Sequence, residues 1–304
     1  MRLAVTLSFL FLTFQSFAQS VNHFDSGFFE QQEFAHRGGY AYGHENTIGT
    51  IINSLENHTP AIEVDVRMTK DYQLVLFHDE TIKRVLEGKR DVKISELTLA
   101  ELTQIPFISE GGEMTFVPSL RNMVDTLSAL ASRYPDLMVE LDFKPHEEGR
   151  LEPAVNELLS ILADQESTNG DNIYNHFFVS SFYPFVLKSL REKNDKVRTA
   201  FAVHNNPAHN KLKGKAGVLF SKMVIRKYDV QILEPNVCLV TERFVNKWHK
   251  RGILINTYTA NTACQKEYLR RLNVAITTNC PSSECGFDKS DQMSKAKKWC
   301  KGCD

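Results

Sequence analysis

Nine short apolar runs, most of them separated by a stretch of helical periodicity, constrain this chain more than any other feature. The runs lie at 34–36, 61–66, 73–78, 137–144, 176–182, 198–203, 229–233, 253–259 and 274–278. Helical patterns lie at 48–57, 119–132, 151–165, 184–193, 241–251 and 262–272. Strand, helix, strand, repeated this often, points to parallel βαβ units. The expected fold class is therefore α/β, a TIM (β/α)8 barrel, and 304 residues suit one such domain. A closed barrel needs eight strands, so one run is surplus, and 229–233 is the expected one. The rhythm breaks between 79 and 136. Much of that gap, about 80–118, reads as an insertion after the third strand, on the face where barrel loops vary and catalysis sits.

The two ends carry different signals. "MRLAVTLSFLFLTFQSFAQS" has a basic residue, an apolar run and small residues at a peptidase-type spacing. It reads as a signal peptide, 1–18, leaving residues 19–304 as a single exported domain. The apolar run falls short of the about 20 residues a membrane helix needs, and no later run is longer. Export implies a secreted or extracellular protein, or a periplasmic one in a bacterium. All six cysteines, Cys238, Cys264, Cys280, Cys285, Cys300 and Cys303, lie in the last third, giving a cysteine-rich tail over 280–304. An even count in an exported chain suggests disulfides, with a zinc site as the alternative; 15 pairings are open. The net charge of -1 provides no basic surplus, so no nucleic-acid partner is expected. The oligomeric state stays open.

Two strands carry acid where a parallel barrel strand should be apolar. In "AIEVDVRMT", Ile62, Val64 and Val66 share one face, and Glu63, Asp65 and Arg67 the other. In "LMVELDFKP", Glu140, Asp142 and Lys144 share a face. Like charges this close require a compensating cation or proton. An all-oxygen set suits Ca2+ or Mg2+ better than zinc. Lys144 suits an anionic substrate group. His36 and His78 each close an apolar run, at the edge where barrel catalysts gather. Two imidazoles beside a metal suit acid and base roles. In "HRGGYAYGHENT", glycines allow close backbone approach, Arg37 offers a planar fork for phosphate, and Glu45 is placed for the metal or a substrate hydroxyl.

The ordered set "HRGG", "ENT", "IEVDVRMTKD" and "VLFHDETIKRV" over 34–87 resembles the glycerophosphodiester phosphodiesterase family. Weaker likeness continues through "ELDFK" (140–144), "YTAN" (258–261) and "AITTNCP" (275–281). The resemblance implies a TIM barrel that hydrolyses glycerophosphodiesters to glycerol 3-phosphate and an alcohol with a divalent metal. It implies His36 and His78 as the catalytic pair and Glu63, Asp65 and Asp142 as metal ligands. Asp142 stands where the family has glutamate, which makes Glu140 a possible alternative ligand. Arg37, Glu45, Lys144 and Tyr258 fall at substrate positions. Tyr258 replaces a tryptophan, Asn279 an aspartate, and His44 a proline, a change expected to loosen its loop. The nearest enzymatic rival is a phospholipase D or sphingomyelinase D type acting on lysophospholipid. A secreted barrel used only for binding is the other rival.

Overall fold

The computed structural model describes residues 24–88, 90–108, 114–144, 149–169, 173–204 and 215–281. The signal peptide expected at 1–18 and, beyond Pro281, the cysteine-rich tail lie outside them. In chain order the elements are α1 (Ser26–Phe29), β1 (Glu33–Ala35), α2 (Ile48–Glu56), β2 (Ala61–Met68), β3 (Leu74–Leu76), α3 (Leu99–Leu102), α4 (Leu120–Leu130) and β4 (Met138–Phe143). They continue with α5 (Leu151–Asn169), β5 (Phe177–Ser181), α6 (Pro184–Lys193), β6 (Arg198–Val203), α7 (Lys215–Tyr228) and β7 (Ile232–Pro235). The last four are α8 (Glu242–His249), β8 (Leu254–Thr257), α9 (Ala263–Arg271) and β9 (Ala275–Thr278).

Among the described residues, β1, β2 and β4 to β9 pair in parallel, and pairing of β1 with both β2 and β9 closes the barrel. The extra strand is β3, not the run at 229–233. β3 turns back antiparallel along the end of β2, with Val66 opposite Leu76, while Ile232–Pro235 sits between β6 and β8. The helix α7 supplies the crossover into β7, and the helical patterns above did not include it. His78 accordingly lies two residues past a short strand, in the loop that opens the insertion.

Period-two alternation sorts each barrel strand into two faces. Ile62, Val64, Val139, Leu141 and Phe143 point outward into the helix layer and join its largest apolar cluster. The inward residues form tiers. The lowest is apolar: Phe34, Ala61, Met138, Phe178, Ala200, Ile232 and Ala275, closed from below by Phe29 of α1. Phe29, Phe34 and Phe178 touch with ring centroids 5.7–5.8 Å apart, edge-on or tilted. Above them the strand register sets Glu63 beside Glu140, and one tier higher Asp65 beside Asp142. A parallel barrel strand thus tolerates acid on its inner face, provided the apolar packing beneath excludes water and the acids find partners.

The insertion has its own small core. Val75, Phe77, Ile82, Leu86, Ile94, Leu97, Leu102, Phe107 and Val117 pack together, and isolated bridges join Thr81 to Lys93 and Leu86 to Phe107. This satellite cluster anchors the segment that carries His78.

Candidate active site

Glu63, Asp65 and Asp142 come from two adjacent strands at the C-terminal mouth of the barrel. One oxygen from each lies within 4.8 Å of the others, and Glu63 and Asp65 are buried. Lys144 sits over the group, its Nζ 2.9 Å from Asp65 Oδ1 and 2.6 Å from Asp142 Oδ2. Asp142 Oδ1 is buried without a hydrogen-bond partner. Burial, then the charges of Asp65 and Asp142, push Glu63 well above the usual carboxylate range. Burial also raises Asp65, but Lys144, His78 and Arg37 outweigh it and hold Asp65 far below that range. An orphaned buried oxygen and a carboxylate forced toward its acid form both mark a shortage of positive charge. The all-oxygen donor set fits a hard divalent cation.

Glu140 stands level with Glu63, one tier below Asp65 and Asp142. It accepts from Ser180 Oγ at 2.8 Å and from Asn256 Nδ2 at 2.8 Å, and is not one of the three clustered carboxylates. Glu234 shares Asn256 with it at 3.4 Å. Burial raises Glu140 well above its ordinary value, with Glu234 adding to the effect, and pushes Glu234 up to about 8.

His36 follows directly on β1. Its Nδ1–H donates to Asn279 Oδ1 at 2.5 Å, and its Nε2 lies 3.8 Å from Glu63 Oε2. Burial, then the charge of Arg37, lowers its pKa to about 4. Arg37 takes a left-handed φ of 55°, which turns its N–H onto Glu63 Oε2 at 2.7 Å. Its Nη1 donates to both oxygens of Glu45 at 3.1 Å, while Nε, 3.7 Å from Asp65, is buried with no acceptor in hydrogen-bonding range. Glu45 is therefore held by guanidinium groups from two segments, Arg37 and Arg84. Burial raises it, but Arg84 and Arg37 bring it below its ordinary value.

The next residue, Asn46, is also left-handed, at φ 57°. It donates to Asp65 Oδ2 at 2.8 Å and accepts from the Asp65 N–H at 3.0 Å, fixing that carboxylate from both ends. His44 is anchored in its loop. Its carbonyl accepts from Thr47 Oγ1 at 3.0 Å and Thr50 Oγ1 at 2.7 Å, and its ring packs 5.3 Å from Phe107.

His78 approaches from the insertion side, partly exposed. Its backbone carbonyl accepts from Arg67 Nε at 2.8 Å, and the Phe77 N–H donates to the Asp65 carbonyl at 2.9 Å. Its Nδ1–H donates to Asp79 Oδ1 at 2.6 Å. Tyr258 forms part of the far wall. Its hydroxyl donates to the Val203 carbonyl at 3.0 Å, and its ring stands perpendicular to Phe182 at 5.8 Å. His36, Glu63, Asp142, Phe182 and Tyr258 line one pocket.

Sequence reasoning missed Asn46, Asp79, Arg84 and the tier of Ser180, Glu234 and Asn256. Asn46 and Asp79 each adjoin a residue that was singled out, which was the available signal. Arg84 offered none, because its partners Glu45 and Asp79 meet it only across the fold.

Comparison with known proteins follows the same lines. A family model described as the glycerophosphoryl diester phosphodiesterase family matches residues 36–282. Glycerophosphodiester phosphodiesterase 1 of Mus musculus is 25% identical over 257 residues, 77% of this chain and 73% of the mouse protein. A human lysophospholipase D is 28% identical over 121 residues, 38% of this chain and 37% of that protein. Among solved structures, an Oleispira antarctica phosphodiesterase in complex with the product sn-glycerol-3-phosphate superposes with a TM-score of 0.67 at 20% identity, covering 84% of this chain and 96% of that one. At that identity the superposition speaks for the fold alone.

Proposed function

The chain belongs to the glycerophosphoryl diester phosphodiesterase family, and on that premise we propose that this enzyme cleaves glycerophosphodiesters to glycerol 3-phosphate and an alcohol, using His36 and His78 for proton transfer beside a divalent cation held by Glu63, Asp65 and Asp142. The observation that carries the proposal is the orphaned, buried Asp142 Oδ1 within a three-carboxylate group, with His36 Nε2 3.8 Å from Glu63 of that group.

Glu63, Asp65 and Asp142 would hold a divalent cation, which when bound would neutralise charge gathering on the phosphate in the transition state. Ca2+ and Mg2+ are the candidates for an all-oxygen set. This chain's own residues do the rest. Arg37 presents a buried Nε–H that lacks an acceptor, which supports a phosphate contact there. Lys144 supplies a fixed positive charge at the same group. Asn279 Oδ1 accepts a hydrogen bond from His36 Nδ1–H, so the proton stays on Nδ1 and the ring turns a neutral Nε2 acceptor toward the pocket; this supports His36 as the base. Asp79 on Nδ1 of His78 stabilises that ring when protonated, which supports His78 as the acid for the departing alkoxide. Tyr258 and Phe182 form an apolar wall for the substrate carbons.

A second substrate class, intact lysophospholipid, is favoured by the match to a human lysophospholipase D and by Ile108, Met114 and Phe116, exposed apolar side chains of the insertion. We also propose export with removal of residues 1–18. In keeping with an oxidising compartment, Cys238, Cys264 and Cys280 are not free thiols. Among the described residues no helix is long and apolar enough to cross a membrane. The mass of the mature protein, measured with and without reductant, tests cleavage and disulfides together.

The deciding assay sets glycerophosphocholine and lysophosphatidylcholine side by side, each with Ca2+ or Mg2+. Release of glycerol 3-phosphate from the deacylated diester is expected. Turnover of lysolipid alone would move the substrate assignment, and no turnover of any glycerophosphodiester by folded protein would end it.

A further inference from the structure

We propose that Arg84 is a positioning residue for this reaction: by clamping Glu45 to Asp79 it sets His78 and Arg37 in fixed relation across the barrel mouth. The proposal rests on the assignment of His78 to proton transfer made above.

Arg84 touches neither imidazole. It makes a bidentate pair with Glu45, Nη2 to Oε1 at 2.7 Å and Nη1 to Oε2 at 2.8 Å. Its Nε–H donates to Asp79 Oδ2 at 2.5 Å. Asp79 holds Nδ1 of His78 with its other oxygen, and Glu45 takes Nη1 of Arg37 on both of its oxygens. One unbroken chain of polar contacts therefore runs from His78 through Asp79, Arg84 and Glu45 to Arg37, and on to Asp65 at 3.7 Å. Its two ends belong to different parts of the fold. Glu45 and Arg37 sit on the loop between β1 and α2. His78, Asp79 and Arg84 sit on the insertion.

Three features single out Arg84 within the chain. First, the barrel holds the His78 backbone through Arg67 and the Phe77 N–H, but its partly exposed ring takes its orienting hydrogen bond from Asp79. Second, only a planar fork with three separate N–H directions satisfies two carboxylates at once; an ammonium on a flexible stem does not reproduce it. Third, its backbone is fixed independently of the site. Arg84 closes a 3-10 turn, Ile82–Arg84, whose Ile82 is fully buried in the insertion's apolar core. The clamp thus transmits the insertion's own stability to the geometry of the site. The charges balance as well, two guanidiniums against Glu45 and Asp79. Both carboxylates are held below their ordinary values, burial opposing and Arg84 among the groups that lower them.

The test compares wild type with Arg84→Ala, Arg84→Lys, Asp79→Asn, His78→Ala and the Arg84→Ala/Asp79→Asn double variant. The substrate is glycerophosphocholine with Mg2+; kcat and KM are read separately, with melting temperature as the folding control. Arg84→Ala is expected to lower kcat about 10- to 100-fold, the usual size of a supporting-residue effect. KM should change less than kcat, since Arg84 does not hold substrate itself and reaches the phosphate only through Arg37. Arg84→Lys keeps the charge and should recover only part of the loss. The double variant should be no slower than its slower parent, because either change opens the same clamp. A raised KM with kcat intact would make Arg84 a substrate contact and overturn the proposal. An intact kcat with a lowered melting temperature would make it merely structural, and independent, multiplying losses in the double variant would also overturn it. His78→Ala separates the two layers: near-normal turnover there sinks the proton-transfer assignment, whereas a slow His78→Ala beside an unimpaired Arg84→Ala sinks the clamp alone.

Discussion

A buried carboxylate oxygen with no donor costs roughly 1–3 kcal/mol or more, and Asp142 Oδ1 is such an atom. Asp142→Asn removes one negative charge from the group while keeping the shape. The metal-free protein should melt at an equal or higher temperature, while affinity for Mg2+ or Ca2+ falls at least about tenfold; calorimetry and thermal melts read the two effects separately. The imidazoles make a sharper demand. His36→Ala should cut turnover about 100- to 10,000-fold, the usual range for general acid–base groups, with the fold retained by circular dichroism. At this scale the sequence was informative wherever a charge interrupted a strand's apolar pattern. Glu63, Asp65, Asp142 and His36 were visible for that reason, and they meet at one mouth. Glu45 was visible as a residue, but its contacts with two arginines from separate segments were not.

Elements were legible where one periodicity dominated. The outward faces of β2 and β4 are uniformly apolar, and their short, β-branched stretches read as strands without difficulty. Helix α7 did not read as one, because "KAGVLFSKMVIRKY" mixes a glycine with β-branched residues. With α7 unseen, the run at 229–233 had no crossover leading into it and looked surplus. β3 is equally apolar, yet its three residues pair antiparallel with β2 and stand outside the barrel. Only the register shows this. The insertion's own core leads to a separate expectation. Phe107 is 2% exposed, and Phe107→Ala should cost about 3–5 kcal/mol locally. Limited proteolysis should then cut within the insertion first, and kcat should drop because His78 sits at its edge, while the barrel keeps its far-UV spectrum.

Across the whole molecule, the two ends of the barrel behave differently toward protons. At the lower end Glu30, just after the α1 plug, packs 2.6 Å from His249 Nε2 and accepts from Asn273 at 2.8 Å. Burial pushes Glu30 up to about 7 and pushes His249 below its usual value. Burial thus disfavours the charged form of both partners. A folded-state pKa above the unfolded 4.5 means the native state binds the proton more tightly. That contribution is complete below pH 4.5 and is lost as pH rises through about 7. Thermal melts should therefore show wild type losing stability over that window relative to Glu30→Gln, whose curve should be flatter; parallel curves would contradict this. The upper end was chemically legible and the lower end was not, because one buried glutamate after a short helix carries no pattern. The chemistry proposed for the upper end depends on a cation joining strands β2 and β4. The most direct measurement is calorimetric titration of metal-stripped protein with Mg2+ and with Ca2+, paired with release of glycerol 3-phosphate from glycerophosphocholine on the same samples. The expected result is one site per chain, absent in Asp65→Ala, with turnover rising in step with its occupancy. Full turnover in the metal-stripped protein, or binding that survives loss of Asp65, would contradict it.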